Sequence, residues 1–238
     1  MGSLAVETAN NVASDIYISL GLKELGKGVM KIPRVLSLLS SLLEKSVQRN
    51  KMKMEAAQAK DVVTIFHGLR APALSIRQYI DRIFKYSGCS PSCFVVAKIY
   101  IDRFLQRTEL QLTSLNVHRL LMTSVMLAAK FMDDAFFNNA YYAKVGGVST
   151  AELNRLEMRF LFTIDFRLQV SLETFGSYCT QLEDETSEGL QIERPIQACG
   201  VVEGLVKQRR FEMCYRDCKI KEKSETSQCI ITQFSNAI

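Results

Sequence analysis

Glu157 is a carboxylate set among apolar residues in a segment whose spacing predicts a helix. Ser149 precedes the segment, and Glu152 follows that serine by three residues, which is the spacing of a capping box. The apolar residues that follow recur at helical spacing and predict a buried stripe: Leu153, Leu156, Phe160, Leu161 and Ile164. A carboxylate beside such a stripe is costly unless something pairs with it. Glu157 is therefore either paired inside the fold or presented to a partner molecule.

Lys130 stands at the end of another apolar segment. Residues 120–129 are almost wholly apolar, which predicts a helix at the centre of a helical bundle. A lysine in the last turn of such a helix complements the helix dipole, and it could equally contact a partner.

Cysteine and histidine give weaker signals. Cys89 with Cys93, and Cys214 with Cys218, are Cys-x-x-x-Cys pairs that could in principle form a zinc site. The first pair straddles a predicted helix start and the second lies in a poorly defined tail, so we expect neither a metal nor another cofactor.

The sequence shows no arrangement that predicts catalysis. The two histidines, His67 and His118, are far apart and lack a Cys or Ser partner at a familiar spacing. Gly146-Gly147 predicts a turn, and the phosphate-binding pattern GxxxxGK[ST] is absent. We therefore expect no enzymatic activity and no small-molecule substrate.

The elements that position these residues are predicted to be helices. The third of them has a clear start at Ser90-Pro91, a cap followed by proline at the first helical position. Apolar spacing, caps and breakers predict these segments: Pro33–Lys53, Ser75–Tyr86, Ser90–Gln106, Leu115–Asp133, Asn139–Lys144, Ser149–Asp165 and Ser171–Leu182.

Composition sets further limits. The chain has 238 residues, with 47% apolar and 23% charged residues, four prolines and twelve glycines, which favours a globular chain with long elements. We expect no transmembrane helix, because no stretch reaches about 18 apolar residues, and we find no convincing signal peptide. Seven cysteines, an odd number, then indicate reduced thiols in the nucleus or the cytoplasm.

The net charge of +5 is concentrated near the C-terminus. Residues 207–223 contain seven basic and three acidic residues, so they account for most of the net charge. The remainder of the chain is close to neutral, which gives little support to nucleic-acid binding by the core. A solvated basic tail or a nuclear-import signal explains the run better than recognition of nucleic acid does.

Four of the predicted helices resemble a known family in order and spacing. SVMLAAKFMDD resembles the third helix of a cyclin box, STAELNRLEMRFLFTIDF the fifth, and PSCFVVAKIYIDRFL the second, while SIRQYIDRIFKYSGCSP matches the first more loosely. The wording YYAKVGGVSTAELNRLE is most similar to the P-type, or U-type, cyclins of plants, which resemble the yeast phosphate-signalling cyclin.

The resemblance implies an all-α fold built on a single five-helix cyclin box. Its kinase-binding lysine and glutamate fall on Lys130 and Glu157. Its structural aspartate falls on Asp102 and its arginine on Arg77. We expect these last two to form an internal ion pair that orients the first two box helices.

Asp133 and Asp134 complete the predicted kinase-binding set. They follow the third box helix, where two carboxylates oppose the helix dipole, so local stability does not account for them. In the family's complexes this end lies toward the kinase activation segment. The hypothesis is that one of them supplies the negative charge that a phosphothreonine gives in many kinases.

The resemblance implies that the protein is a regulatory subunit that binds and activates a cyclin-dependent protein kinase, in cell division or phosphate signalling. Two alternatives remain at this level: a cyclin-box scaffold without kinase activation, and a transcription-associated nucleic-acid-binding factor. The predicted organisation is a flexible N-terminus (1–32), an N-terminal helix and connection (33–69), the cyclin box (70–185) and a C-terminal extension (186–238), partly disordered.

Overall fold

The computed structural model describes residues 15–22, 32–58 and 62–187. All of these residues belong to one compact unit that spans residues 1–189. The predicted C-terminal extension lies outside the described residues, apart from the end of the last helix. Most of the predicted flexible N-terminus lies outside them as well.

The described residues are helical and contain no strand, as the all-α prediction requires. A short helical segment at residues 15–19 precedes seven longer helices, which are labelled in chain order: α1 (Arg34–Ala57), α2 (Ile76–Ser87), α3 (Ser92–Gln106), α4 (Val117–Met132), α5 (Asn139–Gly146), α6 (Thr150–Thr163) and α7 (Leu172–Ser187). Helices α2 to α6 form the five-helix box, and α1 packs against α2, α3 and α7.

Helix α1 confirms the predicted amphipathic helix and continues four residues beyond Lys53. Its apolar residues Leu36, Leu39 and Leu43 are buried, while its opposite face is exposed. Because α1 spans 24 residues, it covers the helices next to it along much of their length.

Local capping fixes the start of α2. Ser75 accepts a hydrogen bond from the Gln78 backbone N–H, and the Gln78 side chain accepts one from the Ser75 N–H, which is a complete capping box. Gly88 ends the helix at a φ of +61°, a left-handed conformation that glycine adopts without strain. The Ser75–Tyr86 prediction therefore agrees with the structure to within one residue at each end.

Helix α4 lies at the centre of the bundle. Its residues from Leu120 to Ala129 are all buried, and it packs against α2, α3, α5 and α6. This confirms the prediction from the apolar segment, because a helix with neighbours on every side needs no polar face.

The turn before α6 forms as predicted, with one difference. Gly147 has a φ of +70° and ends α5, and Ser149 then caps α6 by accepting the Glu152 N–H. The Glu152 carboxylate does not complete a capping box. It accepts a hydrogen bond from Arg119 Nε of α4 at 2.7 Å, so the glutamate joins two helices instead.

One short N-terminal piece is ordered where flexibility was expected. Residues 15–19 are helical, and Leu20 behind them is fully buried. Glu183 of α7 holds this piece, since its carboxylate bonds both the Ser19 hydroxyl and the Arg34 guanidinium. A buried leucine and a shared carboxylate thus attach residues 15–22 to the helices, a packing that the sequence did not predict.

Among the described residues, none of the helices has the length and apolarity that crossing a membrane requires.

Candidate functional site

The structure brings Lys130 and Glu157 together in a buried ion pair. Lys130 Nζ lies 2.8 Å from Glu157 Oε1, and the two side chains are 2% and 6% exposed. Lys130 occupies the last turn of α4, and Glu157 lies in the middle of α6. Of the two possibilities that the sequence left for Glu157, the folded chain shows pairing inside the fold.

Asn139 joins this ion pair, and we call Lys130, Glu157 and Asn139 the cluster. Its amide Nδ2 donates to Glu157 Oε2 at 2.6 Å and to Asn154 Oδ1 at 2.7 Å. Both carboxylate oxygens of Glu157 therefore have donors, as a buried charge requires. Because Asn139 is the first residue of α5, the cluster ties α4, α5 and α6 together at one point. Sequence reasoning missed Asn139, although the adjacent Asn138 and Asn139 at the start of α5 were an available signal.

An apolar surface lies beside the cluster on α6. Met158 and Phe162 are 45% and 63% exposed, and with Asn154 they are spaced by four residues, so the three lie on one face. We call Asn154, Met158 and Phe162 the α6 stripe. Sequence reasoning also missed the stripe, because Met158 and Phe162 fall outside the apolar spacing that predicted the buried face.

Two further exposed aromatic residues precede α5. Phe136 and Phe137 are each 43% exposed, and Phe137 stacks on Tyr141 with ring centroids 4.0 Å apart. They belong to the segment that leads from the end of α4 to Asn139. Exposed aromatic and methionine side chains are typical of protein–protein contact surfaces.

Asp133 has an internal role that the sequence did not predict. Its Oδ2 accepts the Ser90 backbone N–H at 2.9 Å and the Cys93 S–H at 3.3 Å. The carboxylate thus lies at the N-terminal end of α3, where the helix dipole favours negative charge. The dipole of α4 does not account for Asp133, but this tertiary contact with the start of α3 does, and a contact of Asp133 with a kinase stays a prediction. Asp134 is exposed.

Arg77 and Asp102 do not pair with each other, which corrects the predicted ion pair. Arg77 Nε contacts Asp81 at 3.0 Å, one turn along α2. Asp102 Oδ2 is bonded by Lys98 Nζ, one turn earlier in α3, and by the Tyr178 hydroxyl of α7 at 2.9 Å. The structural role of Asp102 is therefore to join α3 to α7.

The cysteines and histidines occupy structural positions. Cys89 and Cys93 are buried free thiols at the start of α3. His118 Nε2–H donates a hydrogen bond to Leu74 O, 2.9 Å away, and burial lowers the pKa of its imidazole. In the described part of the chain, no three His, Cys, Asp or Glu side chains are grouped to hold a metal ion. Cys214 and Cys218 lie outside that part, so the absence of a metal stays a prediction.

The helices and the cluster define a protein of the cyclin class. The family model "Cyclin" matches residues 30–168, and the chain belongs to the cyclin family. The matched range begins before α1, so the helix that covers the box is included in it.

Two relatives show which kinds of cyclin this chain is similar to. The chain is 51% identical to Cyclin-P3-1 of Oryza sativa subsp. japonica, over 97% of this chain and 98% of that protein. It is 56% identical to Cyclin-U3-1 of Arabidopsis thaliana, over 84% of this chain and 90% of that protein. The predicted likeness to the P-type and U-type cyclins of plants is confirmed. Membership of this family supports a regulatory role of the cyclin type.

Proposed function

We propose that this protein binds a cyclin-dependent protein kinase and activates it as its regulatory subunit. The observation that supports the proposal is the exposed α6 stripe beside the buried cluster of Lys130, Glu157 and Asn139. The cluster fixes α4, α5 and α6 relative to one another, so the apolar groups next to it are presented on a rigid surface. A rigid surface loses little conformational entropy on binding, which favours affinity.

Activation follows from the two states of a kinase. The kinase C helix must move inward to place its glutamate against the active-site lysine before phosphoryl transfer can proceed. A partner that binds only the inward state shifts the population toward it. A shift from 1:99 to 99:1 needs about 5.5 kcal/mol of differential binding. An apolar contact centred on Met158 and Phe162 can supply a large part of that, since central interface residues often contribute about 2 kcal/mol or more each.

Lys130 and Glu157 act in this proposal mainly by holding the surface in place. Their side chains are almost completely buried, so a kinase meets the edge of the pair and not two free charges. The predicted role of Asp134 remains part of the proposal. As an exposed carboxylate just after α4, it would lie toward the activation segment and pair with its arginines.

The test is co-expression of the full chain with each member of a panel of plant cyclin-dependent kinases. Co-purification reports binding, and phosphorylation of a serine–proline peptide reports activation. We expect at least one kinase to co-purify and to gain about tenfold or more in activity. The identity of that kinase and of its substrates would then show whether the protein acts in cell division or in phosphate signalling. The location of those substrates in cells would show whether it acts in the nucleus or in the cytoplasm.

Paired variants make the test specific to the surface. Met158→Asp and Phe162→Asp should each weaken kinase binding about tenfold or more. Met52→Asp is the matched control, because Met52 is 55% exposed on α1 and lies outside the α6 stripe. Binding without activation would favour the scaffold alternative. Equal kinase binding by Phe162→Asp and the wild type would rule out the stripe as the contact surface.

A further inference from the structure

A polar groove separates α1 from α3 and from the loop that follows α3. Its volume is about 390 Å³. Leu43, Ile101 and Leu112 are buried and form an apolar floor. Asn50 of α1 holds the loop in place, because its Nδ2 donates to Leu112 O at 3.0 Å. The groove is therefore a fixed feature of the packing of α1.

The groove carries an excess of positive charge. Three cationic residues line it: Arg49 and Lys53 from α1, and Lys98 from α3. Asp102 is its single lining carboxylate, and it is already bonded by Lys98 and by the Tyr178 hydroxyl. The positive charges of Arg49 and Lys53 are therefore not neutralised by any carboxylate that lines the groove.

The two positive charges of Arg49 and Lys53 repel each other when nothing is bound in the groove. They are four residues apart on one helix face, where like charges destabilise a helix by a few tenths of a kcal/mol. Neither makes an ion pair with another described residue, whereas the neighbouring Lys51 lies 3.9 Å from Glu55 on the same helix. Local stability therefore does not account for two cations at the rim of this groove, while a bound anion would.

We infer that this groove binds the phosphorylated side chain of a phosphoserine or phosphothreonine peptide. A phosphate carries a charge of about −1.5 to −2 at pH 7, which matches the two cations, and it offers three acceptor oxygens. The Arg49 guanidinium can bind two of those oxygens at once, and Lys53 supplies a mobile ammonium. The exposed amides of Gln106 and Gln111 add neutral donors at the rim.

The size of the groove favours a peptide over a free anion. Leu43, Ile101 and Leu112 are at most 3% exposed and are already packed by their neighbours, so a ligand meets mainly the polar residues of the rim. A volume of about 390 Å³ is at the small end of ordinary ligand sites, which suits one phosphorylated residue and a neighbour.

The groove is independent of the proposed kinase contact. None of the cluster residues and none of the α6 stripe residues line it. Binding can therefore be measured on the full chain alone, and its failure would leave the proposed kinase activation untouched.

The experiment uses fluorescence anisotropy with two fluorescein-labelled libraries of nine-residue peptides. One library has a central phosphoserine with randomised neighbours, and the other has serine there. Arg49→Gln with Lys53→Gln removes the two rim cations. Lys51→Gln with Lys85→Gln is the matched control, because it removes the same net charge from exposed positions outside the groove. Circular dichroism melts establish that both double variants are folded.

We expect the phosphoserine library to bind the wild type at least tenfold more tightly than the serine library. The groove variant should lose about tenfold or more of that affinity, and the control should retain it within about twofold. Equal loss in both variants would assign the effect to net charge, including the basic tail, and would overturn the proposal. Equal binding of inorganic phosphate and of the phosphoserine library would overturn the peptide as occupant. Retained binding by the groove variant would overturn the site itself.

Discussion

Replacing Glu157 by alanine should strongly destabilise the folded protein. The substitution leaves the Lys130 ammonium in a position where its side chain is only 2% exposed, and it removes one of the two acceptors of the Asn139 amide. Removing one partner of a buried ion pair costs about 3–5 kcal/mol, because the remaining charge loses its compensation. For a chain of this size, each kcal/mol lowers the melting temperature by roughly 2–4 °C, so a decrease of roughly 6–20 °C is expected.

The assay is urea unfolding followed by circular dichroism at 222 nm, with the free energy of unfolding obtained by linear extrapolation. Glu55→Ala is the matched control. Glu55 faces Lys51 across 3.9 Å, but both side chains are 65% exposed. An exposed pair of this kind contributes at most about 1 kcal/mol. The difference between the two variants therefore measures the effect of burial.

The double variant Lys130→Met with Glu157→Leu tests whether the unpaired charge, and not the loss of the pair, causes the destabilisation. Removing both charges leaves no unpaired ion, so its stability should lie well above that of Glu157→Ala. A Glu157→Ala protein with the unfolding free energy of the wild type would refute the buried-pair argument. The result also affects kinase experiments, because loss of binding in a single charge-reversal variant could come from unfolding.

Three other variants and measurements test the remaining contacts. Asp102→Ala should lower the free energy of unfolding by about 2 kcal/mol, because it removes charged hydrogen bonds, one of which joins α3 to α7. Arg77→Ala should lower the free energy of unfolding by less than about 1 kcal/mol, because its ion pair with Asp81 is partly exposed. Equal decreases for the two variants in urea unfolding would contradict the assigned partners. Gly146→Ala should destabilise by about 1–3 kcal/mol, because its added Cβ would lie 2.8 Å from Met122 Cγ, and an unchanged melting temperature would contradict this close packing. Burial lowers the pKa of His118 below its ordinary 6.5, so the unfolded state binds more protons between the two pKa values, and stability falls as the pH falls below about 6.5. An NMR titration of the His118 imidazole with a midpoint above 6.5 would show that this sign is wrong.

Local sequence patterns predicted the helices closely. Caps at Ser75 and Ser149, and glycines at Gly88 and Gly147, act within a few residues of where they stand, so their effect is readable from the sequence. The apolar segment before Lys130 likewise predicted the central helix, since the absence of a polar face requires neighbours on all sides.

The sequence also singled out Lys130 and Glu157, because charges within apolar helices need a partner. It could not decide which partner each charge has. That choice depends on the distance between α4 and α6, which is set by the packing of all the helices. Asn139 joined the pair for the same reason, since the position of α5 determines what its first residue contacts.

The other charged residues include contacts that the sequence can predict and contacts that it cannot. Arg77 with Asp81 and Lys98 with Asp102 are spaced by four residues, so these pairs were readable as local contacts along one helix. The hydrogen bond from Tyr178 to Asp102 joins two residues that are 76 positions apart in the chain. The hydrogen bond from Ser90 to Asp133 at the start of α3 joins two that are 43 positions apart. The sequence by itself determined where the helices begin, to within two residues, and which charges needed partners, whereas α1 and α7 end four and five residues beyond the predicted Lys53 and Leu182. Only the tertiary structure decided the partners, because side chains far apart in the chain meet only after the helices have packed.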